Sequence, residues 1–332
     1  MKRSSSVFSR LSVFSIFLFS SLIFSGCQIS ENNSSKISVI TSFYPLAFFA
    51  QEIAGDNADV INLSGSKSAH SYKISPQDRV KLSQADLVIY QGVGLETWTQ
   101  DVISELKQEG VAVLEASHGL HLNKREEEEK HDEHEEEHEE HEEEHEEHEE
   151  HEEEHEDEHN HGEFDPHTWI DPVLAQQIAE KIAKNLIEVD SQNAQEYTDN
   201  LKILTDKLQI LDAQYQSGLK NCVQKKAFIS HDAFGYLEER YNFELFPIAG
   251  LSPSDEPSAK LIAKLQNIAE TQHITHILTE ENNVKKYAEL LSKEAGIKIL
   301  SVHPMSTVPE GSDYFQTSQN NLLTLSTAFQ CQ

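Results

Sequence analysis

Positive charge is in short supply in this 332-residue chain. Its 26 Lys and Arg stand against 58 Asp and Glu, a formal net charge of −32. Such a balance repels a phosphate backbone and excludes nucleic acid as a partner. The deficit is local, because residues 126–163 hold 25 acidic side chains and one lysine, Lys130, which leaves about −8 for the rest. Outside the acidic insert there is no HExxH motif, and no general base stands out by motif, which weighs against a zinc hydrolase. The N-terminal apolar stretch is broken by Ser12, Ser15, Ser20 and Ser21, so a membrane-spanning helix is disfavoured. Cysteine is scarce, with only Cys27, Cys222 and Cys331.

MKRSSSVFSR supplies a positive n-region and LSVFSIFLFSSLIFSGC an apolar h-region ending on small residues and a cysteine. This is the pattern of an export signal over residues 1–26. FSGC resembles a lipoprotein signal in which Cys27 becomes the lipid-bearing residue, although Phe24 stands where that pattern prefers Leu. Exported and anchored, the protein belongs at the periplasmic side or outer face of the cytoplasmic membrane. In that oxidising compartment Cys222 and Cys331 are expected to pair, the alternative being two free thiols.

From Lys36 onward, short apolar runs alternate with helical patterns: ISVITSF, PLAFFAQEIAGD, ADVINL, SPQDRVKLSQA, DLVIY, LETWTQDVISELKQEG and VAVLEA. That alternation implies an α/β lobe with a mostly parallel sheet, here over 36–171. Continuously apolar DLVIY fits a strand covered on both faces. From Val173 to Ser217 there is neither Pro nor Gly, and Asp171–Pro172 suits a helix start. The spacing predicts one long rigid helix over 172–219. KAFISHD, AFGYLEERY, FELFPIAG and their successors then repeat the alternation as a second lobe over 220–332.

Within the acidic insert, taken as 124–163, His131, His134, His138, His141, His145, His148, His151 and His155 recur every three or four residues, with His159 and His161 following. On a helix this spacing gathers the imidazoles on one face, where neighbours can share Zn²⁺. Repulsion between closely spaced glutamates and the lack of apolar residues predict a disordered loop without metal. A tract that merely solubilised the chain would need no histidines.

Outside the insert, His70, His167 and His231 each lie beside a predicted strand end or helix start, in AHSYKISPQD, DPHTWIDP and SHDAFGYL. Loops at the carboxyl ends of parallel strands are where open α/β sheets bind ligands. Neutral imidazole is the commonest metal ligand, and three from separate loops can close on one ion. Asp165, Asp171 and Asp232 sit beside them and can orient imidazoles, although Asp171 before Pro172 is better placed as a helix cap. His118, His121, His273, His276 and His303 match no ligand pattern.

TSFYPLAFFAQEIAGD, the His-x-Tyr of AHSYKISPQD, DPHTWIDP, SHDAFGYL, GLSPSDEPS and VPEGSDYFQTSQNNLLTLSTAF together resemble the substrate-binding lipoproteins of bacterial zinc and manganese ABC importers. The resemblance runs in order from about Ser38 to Phe329, interrupted mainly by the insert. It implies two βα lobes joined by one long helix, with metal held between them by His70, His167 and His231. Manganese-type members resemble one another in having glutamate at the third position, where this chain has His231, and similar His-rich acidic loops occur in zinc-type members. Zn²⁺ is therefore the expected ion. The fourth position falls to Glu280, Glu281 or water. The implied role is an extracytoplasmic, monomeric receptor, not an enzyme, that hands Zn²⁺ to an ABC permease. A manganese receptor, a zinc hydrolase and a zinc buffer are the alternatives.

Overall fold

Among the described residues, eight short strands fall into two four-stranded parallel sheets, each wrapped by helices from its own alternation. The computed structural model describes residues 36–124, 164–249, 258–280 and 285–332. The export signal, Cys27, the insert histidines, most of GLSPSDEPS and Glu281 lie outside these residues.

In the first lobe β1 (Ile37–Thr41), β2 (Ala58–Asn62), β3 (Leu87–Tyr90) and β4 (Ala112–Glu115) stand in the order β2-β1-β3-β4. Helices α1 (Tyr44–Ala54), α2 (Pro76–Ser83) and α3 (Thr99–Gln108) connect them. Helix α2 starts where the chemistry of its sequence demands: Ser75 and Asp78 form a reciprocal capping box and Pro76 takes the first turn. The second lobe repeats the plan with β5 (Lys226–His231), β6 (Glu244–Ala249), β7 (His276–Thr279) and β8 (Lys298–Ser301) in the order β6-β5-β7-β8. Both sheets thus reverse strand order between their first and third strands, which opens a crevice at the carboxyl ends of the strands.

The segment expected as one helix over 172–219 is two. Helix α4 (Pro172–Val189) ends at Asp190, a 3-10 turn occupies Ser191–Asn193, and α5 (Ala194–Gly218) packs back along α4. The interruption is written in Asp, Ser and Asn rather than in Pro or Gly. The Asp190 carboxylate accepts the Tyr197 hydroxyl at 2.5 Å and the Asn193 amide at 2.7 Å, so side chains stabilise the turn in place of helical hydrogen bonds. The connecting role falls to α5, 25 residues and about 37 Å long. Asn200 on α5 donates to the Ile53 carbonyl of α1, and Lys207 pairs with Glu52. At its far end Tyr215 donates to the Ser318 carbonyl of α9 (Tyr314–Ala328), in the second lobe.

One hydrophobic core runs through both lobes, uniting Val39, Phe49, Ile178, Leu208, Ile229 and Phe329. The alternate residues Ile40 and Val88 point to the opposite face of the first sheet and pack with Leu82, Val102 and Leu106, on or near α2 and α3. Phe228 does the same in the second lobe, against Leu265 of α7 (Ala259–Thr271) and Leu291 of α8 (Lys285–Ala295). Cys222 and Cys331 are joined by a disulfide across 109 residues and pair their backbones as an isolated bridge, which fastens the C-terminal tail beside β5. No helix among the described residues is long and apolar enough to cross a membrane.

Candidate metal centre

His70 sits on a 3-10 turn, Ala69–Ser71, in the connection from β2 to α2. Tyr72 explains the His-x-Tyr pattern: its hydroxyl donates to Asp78 Oδ2 at 2.7 Å, tying the His70 turn to the capping box of α2. Hydrogen bonds from Ser75, Tyr72 and Lys81 hold the Asp78 carboxyl well below the usual carboxylate range, against the opposing effect of burial.

His167 precedes a second 3-10 turn, Thr168–Ile170, that leads into α4. It is 1% exposed. Asp165 Oδ1 accepts both the backbone N–H of His167 at 2.9 Å and its Nδ1–H at 2.7 Å. That bond assigns the proton to Nδ1 and leaves the Nε2 lone pair to face the cluster. Burial holds the imidazole well below its ordinary pKa, with nearby His231 acting in the same sense, so the ring is neutral and able to ligate. Burial also pushes the Asp165 carboxyl up to about 7.

His231 closes β5 and comes from the other lobe. Both of its ring nitrogens are buried and neither makes a hydrogen bond of ordinary geometry, although Nδ1 lies against the Glu280 carboxylate as an ion-pair contact. A buried polar atom left unsatisfied costs about 1–3 kcal/mol, so a ligand bond to Nε2 would remove a penalty that the bare site carries.

The three imidazoles converge. One ligand nitrogen from each lies within 4.8 Å of the others, and this is the one such group of His, Cys or acidic residues among the described residues. His70 Nε2 and His167 Nε2 stand 3.1 Å apart. Two nitrogens bound to a tetrahedral Zn²⁺ at 2.0–2.1 Å are separated by about 3.3–3.4 Å, so this pair needs only a small opening to share an ion. Glu280 follows β7 and touches His231, but is not part of the three-histidine group. Asp171 caps α4 by accepting from the N–H groups of Val173 and Leu174. His118, His121, His273, His276 and His303 stand outside the cluster.

Sequence reasoning missed the residues that join the lobes around this site. Arg240 on α6 (Gly235–Tyr241) pairs with the free oxygen of Asp171. Tyr236 donates to the Asp165 carbonyl at 2.6 Å and accepts from Asn123 N–H at 3.3 Å. A side chain at Gly235 would come within 3.1 Å of Asp165 Oδ2, so glycine lets the helix start approach the carboxylate. Helix α6 begins shortly after His231, and therefore couples that residue to the loop carrying His167. The same contacts reach the root of the insert, where Lys124 and Phe164 form an isolated antiparallel bridge.

These features define a two-lobed α/β binding protein with a nitrogen-rich site where the carboxyl ends of its two sheets meet. The ZnuA family model, zinc-uptake complex component A periplasmic, matches residues 39–328, and the chain belongs to that family. It is 31% identical over 305 residues to the zinc-binding lipoprotein AdcA of Streptococcus pneumoniae, covering 90% of this chain and 57% of that protein. The chain thus spans little more than half the length of that relative. It is 34% identical to the high-affinity zinc uptake system protein ZnuA of Bacillus subtilis, over 81% of this chain and 78% of that one. The crystal structure of the Zn(II)-bound ZnuA-like domain of Streptococcus pneumoniae AdcA superposes with a TM-score of 0.70 at 29% identity, covering 89% of this chain and 99% of that domain.

Proposed function

We propose that this chain is an extracytoplasmic receptor that binds Zn²⁺ through His70, His167 and His231 and delivers it to an ABC-type permease. The observation that carries the reading is the convergence of three imidazoles from two lobes, one of them with a buried Nε2 that has no hydrogen-bond partner. Neutral nitrogen donors favour Zn²⁺ over the oxygen-preferring Mn²⁺. Glu280, Glu281 or water completes the coordination, and Glu280 lies against Nδ1 of His231. The metal is cargo. Export through residues 1–26 and lipidation of Cys27 would hold the protein, as a monomer, at the outer face of the cytoplasmic membrane beside its permease. The insert would gather further Zn²⁺, and the residues that flank it, Lys124 and Phe164, are bridged next to Asp165 in the chain.

Chelator-competition titration of an insert-deleted chain tests the receptor role. One tight site that prefers Zn²⁺ to Mn²⁺ at equal concentration is expected. Loss of all tight binding with the insert would identify a buffer, and preference for Mn²⁺ would overturn the choice of ion.

A further inference from the structure

Gln91 follows β3 directly and is completely buried. Its side-chain amide donates to the Pro166 carbonyl at 2.9 Å and to Thr168 Oγ1 at 2.8 Å, the residues on either side of His167. Its backbone N–H donates to Glu96 Oε1 at 2.7 Å. That oxygen also accepts the Ser42 hydroxyl at 2.5 Å, and Glu96 Oε2 accepts Gly92 N–H at 3.1 Å. Glu96, 3% exposed, therefore fills the crevice where the strand order of the first sheet reverses, and Gln91 is seated on it.

The duplication of the lobes gives this arrangement its meaning. Tyr90 registers with Glu115 and accepts from Ala116 N–H, just as Thr279 registers with Ser301 and accepts from Val302 N–H. Gln91 and Glu280 are thus the same position in the two lobes. Ser42 and Ser230 correspond as well, and Ser230 Oγ accepts from the Glu280 backbone N–H at 3.3 Å. From one sheet Glu280 meets His231; from the other, Gln91 holds the loop of His167.

We propose that Gln91, seated on Glu96, is a positioning residue of the metal site, fixing the backbone before and after His167 so that its imidazole faces His70 and His231. The inference rests on the metal-binding reading above. Asp165 fixes the orientation of the ring, and Gln91 fixes the loop that carries it. Removing partners of this kind typically weakens metal binding by about 10- to 100-fold.

The test uses Gln91→Met, which keeps the length of the side chain and loses its N–H groups, and Thr168→Val, which removes one acceptor only. Both are made in the insert-deleted chain. Zn²⁺ affinity is read by chelator competition, site geometry by the visible absorption of the Co²⁺-loaded protein, and apo stability by thermal unfolding. Gln91→Met should weaken Zn²⁺ by about 10- to 100-fold and alter the Co²⁺ bands. Thr168→Val should do less in the same direction, and the double variant should be no worse than Gln91→Met. Lower apo stability with unchanged affinity and an unchanged Co²⁺ spectrum would show a structural role and overturn the inference. If Gln91→Met does not fold, Thr168→Val decides by the same readouts. A parent chain that binds neither metal refutes the metal-binding reading and this inference with it, whereas a tight parent with an indifferent Gln91→Met refutes this inference alone.

Discussion

Removing the carboxylate behind His167 should weaken zinc while leaving the chain folded, and the tautomer of the imidazole sets how much. In the native chain Asp165 Oδ1 accepts Nδ1–H at 2.7 Å, so Nε2 is already stripped of its proton when the ion arrives. In Asp165→Ala without metal, the neutral ring can move its proton to Nε2 and donate to His70 Nε2, 3.1 Å away. No donor is then stranded. Zinc at Nε2 forces the proton back to Nδ1, where the variant leaves it buried with no acceptor, at a cost of about 1–3 kcal/mol. The penalty falls on the bound state, so affinity should drop by about 5- to 150-fold. Chelator competition on the insert-deleted chain at pH 7.5 measures it, and the joined insert ends at Lys124 and Phe164 make that deletion short to close. Asp165→Asn keeps an acceptor oxygen and should lose less. Unchanged affinity in a folded Asp165→Ala, or an equal fall in both variants, would refute the tautomer argument.

Alanine at His70, His167 or His231 should each abolish the tight site with little effect on fold, because each ligand comes from a loop or strand end; tight titration of all three variants would reject the ligand set. Glu280→Gln should weaken zinc less than any of these, as read by the same competition. Glu238, on α6, has a carboxyl pushed up to about 8 by burial, so the folded chain keeps this proton where the unfolded chain releases it. Stability should therefore decline from about pH 4.5 to about 8 on account of this group, and denaturant melts of Glu238→Gln should show a shallower decline over that window. Replacing Cys222 and Cys331 by Ser opens a loop of 109 residues and should cost about 2–4 kcal/mol in the same melts; no change would mean that the bridge adds nothing to stability. A synthetic peptide of residues 126–163 should gain helix by circular dichroism as Zn²⁺ is added at neutral pH and lose it below about pH 6, where imidazoles protonate; a flat titration would leave the tract without a metal role.

Strand and helix order was legible because burial leaves a pattern. LVIY is buried at every position, as a strand covered on both faces requires, and it stands out in the sequence as an unbroken apolar run. Asp171 and Pro172 announced the start of α4 for the reason that they form it. The end of α4 was missed because Asp190, Ser191 and Asn193 break a helix conditionally. They compete for backbone hydrogen bonds only if partners such as Tyr197 are in reach, which the apolar spacing of the segment does not disclose.

The same distinction separates the ligands from what holds them. Metal binding restricts a position to very few residue types, so histidines at strand ends are conspicuous one by one. Gln91, Tyr236 and Arg240 serve the site with ordinary hydrogen-bond donors, and their partners lie 69 to 77 residues away. Nothing local marks them, since Gln91 depends on a loop far along the chain within its own lobe, and Tyr236 and Arg240 depend on how the two lobes meet. Yet these contacts, together with Glu96 in its crevice, confine the first lobe to presenting His167 and leave the second to approach it through His231. A site divided in this way forms only when both lobes are seated against each other. On the proposed function, the interlobe contacts around Asp165 and Asp171 would therefore help to set zinc affinity without touching the ion.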